Sequence, residues 1–252
     1  MKLFLASTVT RELFKHDLLL QIKYVLESYF YIEDWQLPLI RDVYKQNFIL
    51  DSGAYTFMQS SKGGSSYQSF LDYTKRYAHF INKHDIKLFF EMDVDSIIGL
   101  DKVEDLRHIL ETETGKKPIP VWHMNRGKEY FIQSCKDYDY VALGGIAGGE
   151  TSFQKLKAVF PWFIQTAHQN KAKIHGLGCT FSNIADFDFD SVDSSTWLSG
   201  GRFGQLHQFN GSTIVPTTID GKRAKDYKQI DRHNLTEWIK FQYYLDSKRT
   251  LR

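Results

Sequence analysis

The sequence predicts an α/β protein built as a (β/α)8 barrel of the TIM type. Short apolar runs typical of strands alternate with helical segments along the chain, and about eight such runs fit into its 252 residues. No glycine-rich phosphate-binding fingerprint follows the first strand, which disfavours the alternative, a doubly wound open sheet. The connections at 179–186 and after Trp197 are short or polar. We therefore expect the barrel to be irregular or incomplete near strands 6–8.

Composition predicts one cytoplasmic domain covering residues 1–252. Hydrophobic residues make up 42% of the chain and charged residues 25%, which is ordinary for a globular protein that buries a single large core. The two cysteines, Cys135 and Cys179, are too few for a disulfide framework or a cysteine-rich zinc site. The apolar run at the N-terminus is too short for a signal peptide, and no run approaches the length of a membrane span.

In the first half of the chain, apolar runs predict buried strands at residues 2–6, 48–50 and 87–90. Apolar residues at helical spacing predict helices over residues 17–30, 67–81 and 103–110. Gly115 and the turn around Pro118 end the last of these helices.

The alternation continues in the second half. Strands are predicted at residues 119–122, 140–143, 173–175 and 187–192, with helices over 127–136, 153–164 and 235–243. Pro161 should kink the second of these helices. A last strand is expected within 205–209 or 213–215.

Polar and glycine residues stand at the ends of these strands. In a barrel the carboxyl ends of the strands meet at one mouth, where active sites are built. Carboxylates crowded in one cleft repel each other, so one can hold a proton near neutral pH while another stays ionised. Such a pair can divide the roles of nucleophile and acid/base. The strand-end residues are Asp51, Asp93 or Asp95, His123, Gly144–Gly145, Gly176–Gly178 and Asp193.

Residues 190–204 form the most site-like stretch, because a strand running to Asp193 is followed by small residues, a glycine pair and Arg202. Simpler interpretations remain open at this stage. The aspartates can cap turns, and His123 can be a buried histidine with its hydrogen bonds satisfied. His175 is interpreted as structural. A metal site built from Asp51, Asp93, His123 and His175 is a minor alternative, since no tight ligand motif is present.

Taken in order, three segments resemble the queuine and archaeosine tRNA-guanine transglycosylases and their relatives that insert 7-deazaguanines into DNA. The first is Asp51-Ser-Gly-Ala-Tyr55, similar to the family's Asp-Ser-Gly-Gly-Phe. The second is Gly144-Gly-Ile-Ala-Gly-Gly-Glu150, similar to Gly-Gly-Leu-Ala-x-Gly-Glu. The third is Asp193, followed nine residues later by Arg202-Phe-Gly204, similar to the nucleophile segment. The resemblance covers about residues 47–204.

The resemblance implies a role for each site residue. Asp193 would be the nucleophile that attacks the sugar, and Asp51 the acid/base that protonates the departing guanine. Asp93, or Asp95, would bind the base edge, and the backbone of Gly144 and Gly145 its carbonyl. His123 stands where the family usually carries a Gln that contacts the base. Ser52 and Arg202 belong to the matched segments, and we count them as substrate-binding.

The chain departs from the tRNA enzymes in lacking their Cys-x-Cys-x-x-Cys and His zinc site. The resemblance therefore implies the zinc-less branch that modifies DNA and also occurs in viruses. The expected partners are DNA, or tRNA as the alternative, and a free 7-deazapurine such as preQ0. No cofactor and no metal requirement are expected.

Positive charge is concentrated at the C-terminal end. Residues 220–252 carry nine Lys/Arg against five Asp/Glu, a net charge of +4, whereas the whole chain carries +2. Lys222, Arg223 and Lys225 are the predicted contacts to nucleic-acid phosphates. Trp197 and Phe203 are expected to stack on a displaced base.

Two functions of other classes remain as alternatives: a barrel enzyme acting on a small molecule, and a non-catalytic nucleic-acid-binding module. An aldolase should carry a lysine at a strand end and a metal hydrolase paired histidines, and neither feature is visible.

Overall fold

The computed structural model describes residues 1–60, 64–145, 150–218 and 227–250. It has an α/β fold of the TIM-barrel type with seven parallel strands and helices between them, which confirms the predicted fold class. The seven strands are β1 (Lys2–Ala6), β2 (Val25–Ser28), β3 (Phe48–Asp51), β4 (Val121–Trp122), β5 (Tyr140–Leu143), β6 (Lys173–Gly176) and β7 (Ser191–Ser194). Two further strands, β8 (Gln205–Phe209) and β9 (Ile214–Thr218), form a separate antiparallel pair.

Nine α-helices accompany the strands within the described residues. They are α1 (Arg11–Phe14), α2 (Ala54–Gln59), α3 (Tyr67–Lys83), α4 (Asp95–Ile98), α5 (Leu100–Thr114), α6 (Gly127–Asp137), α7 (Glu150–Gln169), α8 (Ser199–Phe203) and α9 (Tyr227–Thr250). No helix in the described ranges combines the length and the apolar character needed to cross a membrane.

The chain packs as two compact units. Unit 1 comprises residues 1–25, 145–165 and 174–252, and unit 2 comprises residues 26–144 and 166–173. Whether the chain is one domain stays a prediction.

Unit 1 contains three adjacent parallel strands in the order β1-β7-β6. Their register places Phe4 opposite Asp193, and His175 opposite Ser191. Because side chains alternate between the faces of a strand, Ser191 and Asp193 share one face of β7. Helix α9 is tied to β1 by Gln242, whose amide donates hydrogen bonds to the carbonyls of Leu3 (2.7 Å) and Tyr24 (2.9 Å).

Unit 2 contains the neighbouring strands β3 and β2 and the parallel pair β4 and β5. Helices α3 and α5 pack against each other. The fully buried Tyr77 on α3 donates its hydroxyl to the carbonyls of Leu50 and Phe90, at 3.1 and 3.2 Å. Burial of this tyrosine therefore fixes the spacing of two chain segments that lead to predicted site residues.

Two predicted elements in the first half of the chain differ from the structure. The helix predicted over 17–30 is wrong: this segment contains a short 3₁₀ turn at Leu19–Gln21 and the strand β2. Residues 25–27 are buried consecutively, which suits a strand covered on both faces better than a one-sided helix. The strand predicted at 87–90 is reduced to the isolated parallel bridges Leu50–Phe89 and Phe90–Ile119.

The last two strands also differ from the prediction. The strand before the main site lies at 191–194 rather than 187–192, and it follows a 3₁₀ turn at Ile184–Asp186. The candidate segments for a final barrel strand, 205–209 and 213–215, pair with each other as β8 and β9. A tight turn around Gly211, with φ +97°, lets them form a local hairpin. Pro161 lies inside α7, and the helix continues through it without a break.

Candidate functional site

Asp193 lies at the carboxyl end of β7, and its carboxylate is held at one oxygen. The backbone N–H of Gly178 donates to Asp193 Oδ1 at 2.7 Å, and His175 Nε2 lies 3.1 Å from the same oxygen. The Asp193 side chain is 13% exposed, so it is sheltered but reachable. Both of these hydrogen bonds end on Oδ1, and no hydrogen bond from the described part of the chain ends on Oδ2.

His175 is fully buried and bridges Asp193 to Ser191, whose Oγ is hydrogen-bonded to His175 Nδ1. An ionised carboxylate only accepts hydrogen bonds, so the contact requires the His175 proton on Nε2. In the neutral ring Nδ1 must then accept the hydroxyl proton of Ser191. The result is a directed chain, Ser191 to His175 to Asp193, which orients the carboxylate.

The turn after β6 supplies the backbone donor. Gly178 adopts φ +59°, a left-handed conformation that turns its N–H toward Asp193 and favours glycine. A Cβ on Gly176 would lie 2.7 Å from the Cβ of Cys179. Burial, aided by the charge of Asp193, raises the pKa of the Cys179 thiol well above its usual range. Cys179 is therefore a packing residue and not a nucleophile.

Asp51 ends β3 in unit 2. Its Oδ2 accepts the backbone N–H of Gly53 at 3.0 Å, and Tyr73 donates its hydroxyl to the carbonyl of Ser52 at 2.8 Å. Gly53 has φ +67°, and a Cβ there would lie 2.5 Å from Ser28 Oγ. The Asp-Ser-Gly segment is thus held as a tight turn. Ser52 is buried, and its Oγ accepts the N–H of Ala54 at 3.4 Å, so its hydroxyl serves this turn.

Asp93 and His123 form a pair in unit 2, with 2.7 Å between Asp93 Oδ1 and His123 Nε2. Burial opposes protonation of His123, but the hydrogen bond and charge of Asp93 outweigh it and raise the His123 pKa. A Cβ on Gly144 would lie 2.4 Å from His123 Cε1, so the glycine makes room for the imidazole. The N–H of Gly144 is donated to the Trp122 carbonyl at 2.8 Å. Gly145 is exposed and adopts φ +73°.

A buried ionic network lies beside this pair. Arg126 donates Nη1 to Glu91 Oε1 at 2.8 Å and Nε to Asp95 Oδ2 at 3.2 Å, and its Nη2 is 3.6 Å from Asp93 Oδ1. Arg107 reaches the other oxygen of the fully buried Glu91 at 3.3 Å. Burial raises the Asp95 pKa, but Arg126 more than offsets this effect and the net shift is downward. Asp95 is thus committed to Arg126, whereas Asp93 is paired chiefly with His123.

The same residues could in principle hold a cation. One ligand atom each from Asp93, Asp95 and His123 lies within 4.8 Å of the others. However, Arg126 already contacts both carboxylates and supplies the positive charge that a metal would bring. Of the residues in the alternative metal set, Asp93 and His123 are paired in unit 2, whereas His175 contacts Asp193 in unit 1.

The residues that follow β7, and the predicted nucleic-acid contacts, have different surroundings. The prediction that Trp197 stacks on a base is wrong, because its ring is buried and its indole N–H donates to the Ala6 carbonyl at 2.8 Å. Gly200 serves helix packing, since a Cβ there would lie 2.4 Å from Ile230 Cγ2 on α9. Phe203 is 71% exposed, so its ring is accessible, and its stacking on a base stays a prediction. The side chain of Arg202, and all of Lys222, Arg223 and Lys225, lie outside the described part of the structure.

Two residues that contact the strand-end carboxylates were not predicted from the sequence. His175 was interpreted as structural, yet it contacts Asp193; no sequence signal marks this contact, because it depends on the register of β6 against β7. Arg126 carried no motif, and only the structure shows that it contacts three carboxylates.

Comparisons with known proteins add only a general likeness. No protein family and no curated protein matches the sequence. The chain is similar to the carboxyl transferase domain of Rhizobium etli pyruvate carboxylase with 3-hydroxypyruvate, with 15% identity, a TM-score of 0.47, and coverage of 98% of this chain and 47% of that one. It thus spans about half the length of that chain. It is also similar to a GH113 β-1,4-mannanase, with 16% identity, a TM-score of 0.43, and coverage of 92% and 83%. Neither likeness identifies an activity.

Proposed function

We propose that the protein is a guanine transglycosylase that exchanges guanine in DNA for a 7-deazaguanine through a covalent intermediate on Asp193. The observation that carries the proposal is the carboxylate of Asp193, fixed through Oδ1 by Gly178 and His175 at the end of β7. A nucleophile must be oriented while one oxygen keeps its lone pairs, and this geometry meets both needs. The ordered resemblance of three segments supplies the reaction class.

The proposed reaction has two displacements. In the first, Asp193 Oδ2 bonds to C1′ of the deoxyribose as the bond from C1′ to guanine N9 breaks. Asp51 gives the departing guanine a proton, so that it leaves as the neutral base. In the second, Asp51 takes a proton from the incoming deazaguanine, whose N9 attacks C1′ and releases the Asp193 carboxylate. Atoms, charge and protons balance without an oxidant or a metal.

Recognition of the base is assigned to Asp93 and His123. Asp93 keeps acceptor capacity beyond its bond to His123, and the donor edge of a guanine or deazaguanine offers adjacent N–H groups. His123 holds Asp93 in place rather than reading the base alone. Arg126, 3.6 Å from Asp93, partly offsets the carboxylate charge and so reduces the cost of burying it against a ligand.

The direct test is to incubate the protein with a guanine-containing oligonucleotide and preQ0, and to analyse the nucleosides by mass spectrometry. We expect a 7-deaza-2′-deoxyguanosine from the DNA, and a protein–DNA adduct that survives denaturation. Exchange in tRNA instead of DNA would identify the zinc-less tRNA enzyme. Absence of both exchange and adduct would overturn the proposal, and activity that a chelator removes and one metal restores would count against this mechanism.

Phosphate contact is assigned to the basic segment at residues 220–252. Proteins that neutralise phosphates lose affinity as salt displaces them. We expect DNA binding to weaken as salt rises, and to weaken for every sequence when Lys222, Arg223 and Lys225 are changed to Glu. Binding that ignores salt and survives these changes would remove the segment from the interface.

A further inference from the structure

A pocket of about 240 Å³ lies within unit 1, between the β8–β9 hairpin, helix α9 and the chain after β6. We call it the hairpin pocket. The hairpin stands apart from the seven parallel strands, so barrel formation does not explain it. We propose that the hairpin pocket binds a single nucleobase.

The walls of the hairpin pocket are aromatic and rigid. Phe181, Trp238 and Phe241 line it, and the last two are buried. The indole N–H of Trp238 donates to His207 Nδ1 at 2.8 Å, and His207 Nε2 lies 3.0 Å from Ser199 Oγ. Since Trp is only a donor, His207 Nδ1 must accept and Nε2 must carry the proton. Both imidazole nitrogens are committed, so the orientation of the Trp238 ring is fixed before any ligand arrives.

The remaining lining is mostly polar, with the apolar Ile214 and Pro216 on the hairpin side. Gln205 and Thr213 line the pocket, and neither side chain makes a hydrogen bond to another described residue. Among the described residues, no Lys, Arg, Asp or Glu lines it. This chemistry selects a neutral, flat ligand with hydrogen-bonding edges: aromatic rings accept the flat face, and a carboxamide can pair with adjacent donor and acceptor groups on an edge. A phosphate or a carboxylate would meet no compensating charge.

The location connects the hairpin pocket to the strand end that carries Asp193. Thr180 and Thr196 line it, and both are hydrogen-bonded to Ser194 Oγ at 2.9 Å. Ser194 follows Asp193 on β7 and therefore points to the other face of the strand. The occupant is thus not the reacting base. If the proposed function holds, on which this step rests, the occupant is a neighbouring base of the same nucleic-acid strand.

The test is ligand-observed NMR of the full-length protein with the four nucleosides, and with ribose 5-phosphate as a sugar-phosphate probe. We expect at least one nucleoside to bind and ribose 5-phosphate not to compete. Thr213→Trp fills the pocket, and the pair Gln205→Leu with Thr213→Val removes its polar edge. Each should weaken nucleoside binding by at least about tenfold, whereas Thr217→Val, in the same hairpin on β9 but outside the lining, should leave it unchanged.

The source of the base is tested with an oligonucleotide that carries one abasic position beside the target guanine. If the abasic position lowers the affinity of the wild type but not that of Thr213→Trp, the neighbouring base is the occupant. Equal affinity for both oligonucleotides, together with nucleoside binding, would identify a free nucleoside or base as the occupant. Thermal melting checks that each variant folds. If Thr213→Trp does not fold, the double variant Gln205→Leu with Thr213→Val provides the test.

The hairpin pocket and the proposed function can fail separately. Nucleosides that bind Thr213→Trp as well as wild type, or that do not bind at all, would overturn the pocket while base exchange could still be observed. Nucleoside binding without any base exchange would therefore refute the transglycosylase and leave the pocket standing.

Discussion

Asp193 in unit 1 and Asp93 in unit 2 are both strand-end carboxylates, but their partners differ in kind. Asp193 is held by a backbone N–H and a histidine, and no Lys or Arg of the described chain forms an ion pair with it. Asp93 is paired with His123 and lies 3.6 Å from the guanidinium of Arg126. A nearby cation lowers the nucleophilicity of a carboxylate, whereas neutral donors on one oxygen orient it and spare the other.

Under the proposed function, the difference assigns chemistry to Asp193 in unit 1 and base recognition to Asp93 in unit 2. A residue that reads a base must stay in one place and one charge state, and the ionic network of Glu91, Arg107 and Arg126 provides that rigidity. A nucleophile must instead change its bonding during the reaction. The predictions below test whether the two carboxylates differ in function as they differ in partners.

Asp193→Asn should have the largest effect. An amide cannot form the glycosyl ester, so we expect base exchange to fall by at least about a thousandfold and the covalent adduct to disappear. Asp190→Asn is the matched control, because the Asp190 carboxylate accepts the backbone N–H of Ile174 at 2.9 Å and serves the fold. If Asp193→Asn turns over normally while Asp190→Asn does not, the nucleophile is Asp190.

Asp51→Asn extends the comparison to a third carboxylate. A positioned acid contributes about 10²–10⁴-fold, so exchange should slow by that factor while DNA binding persists. The amide can still accept the N–H of Gly53 through its oxygen, so the turn should remain. Single-turnover kinetics with melting temperature as the control measures this. A loss of only a few-fold would move the acid/base role to Asp93.

Arg126→Met tests the ionic network itself. It removes one of the two guanidinium partners of the fully buried Glu91, and breaking a buried ion pair by removing one partner is expected to cost about 3–5 kcal/mol of unfolding free energy. Arg41→Met is the control, since Arg41 pairs with Asp42 on the surface. The stability of this variant should not differ measurably from that of the wild type. Urea denaturation of both variants decides the point. Equal stabilities would show that the network contributes nothing to the rigidity of unit 2.

Much of the fold was predictable because its signals are local. The helix at residues 67–83 follows from apolar spacing, and its N-cap Ser66, which accepts the N–H of Ser69, is a sequence signal too. Strands β1, β3 and β5 are apolar runs of the expected length. The segment 17–30 failed because its apolar spacing fits a helix by coincidence, while burial on both faces makes part of it the strand β2.

The candidate site was predictable at its acids but not at their partners. Asp51, Asp93 and Asp193 stand out because they follow apolar runs. His175 lies inside a strand, and its contact to Asp193 depends on the register of β6 against β7, which one sequence does not reveal. Arg126 lies 35 residues from Glu91 along the chain, so their pairing depends on tertiary packing alone.

The smallest effect concerns the pH dependence contributed by His123. Its raised pKa means that the folded protein binds this proton more tightly than the unfolded chain does. The stabilisation is fully present below the unfolded value of about 6.5, and it is lost as the pH rises through the higher folded value. Wild type should therefore exceed His123→Gln in stability by about 1 kcal/mol or less near pH 6, and the difference should shrink toward pH about 8.

His84 provides a control of opposite sign in the same unit. Burial, together with the charge of Lys83, lowers its pKa, so the folded protein binds this proton more weakly than the unfolded chain does. The wild-type His84 side chain therefore favours folding more as the pH rises. His84→Gln should make the free energy of unfolding rise less steeply with pH, whereas His123→Gln should make it rise more steeply. Urea denaturation curves between about pH 6 and 8 measure both slopes. If His123→Gln leaves the slope unchanged, the imidazole is neutral beside Asp93, and the pair reads a base through a hydrogen bond without a formal charge.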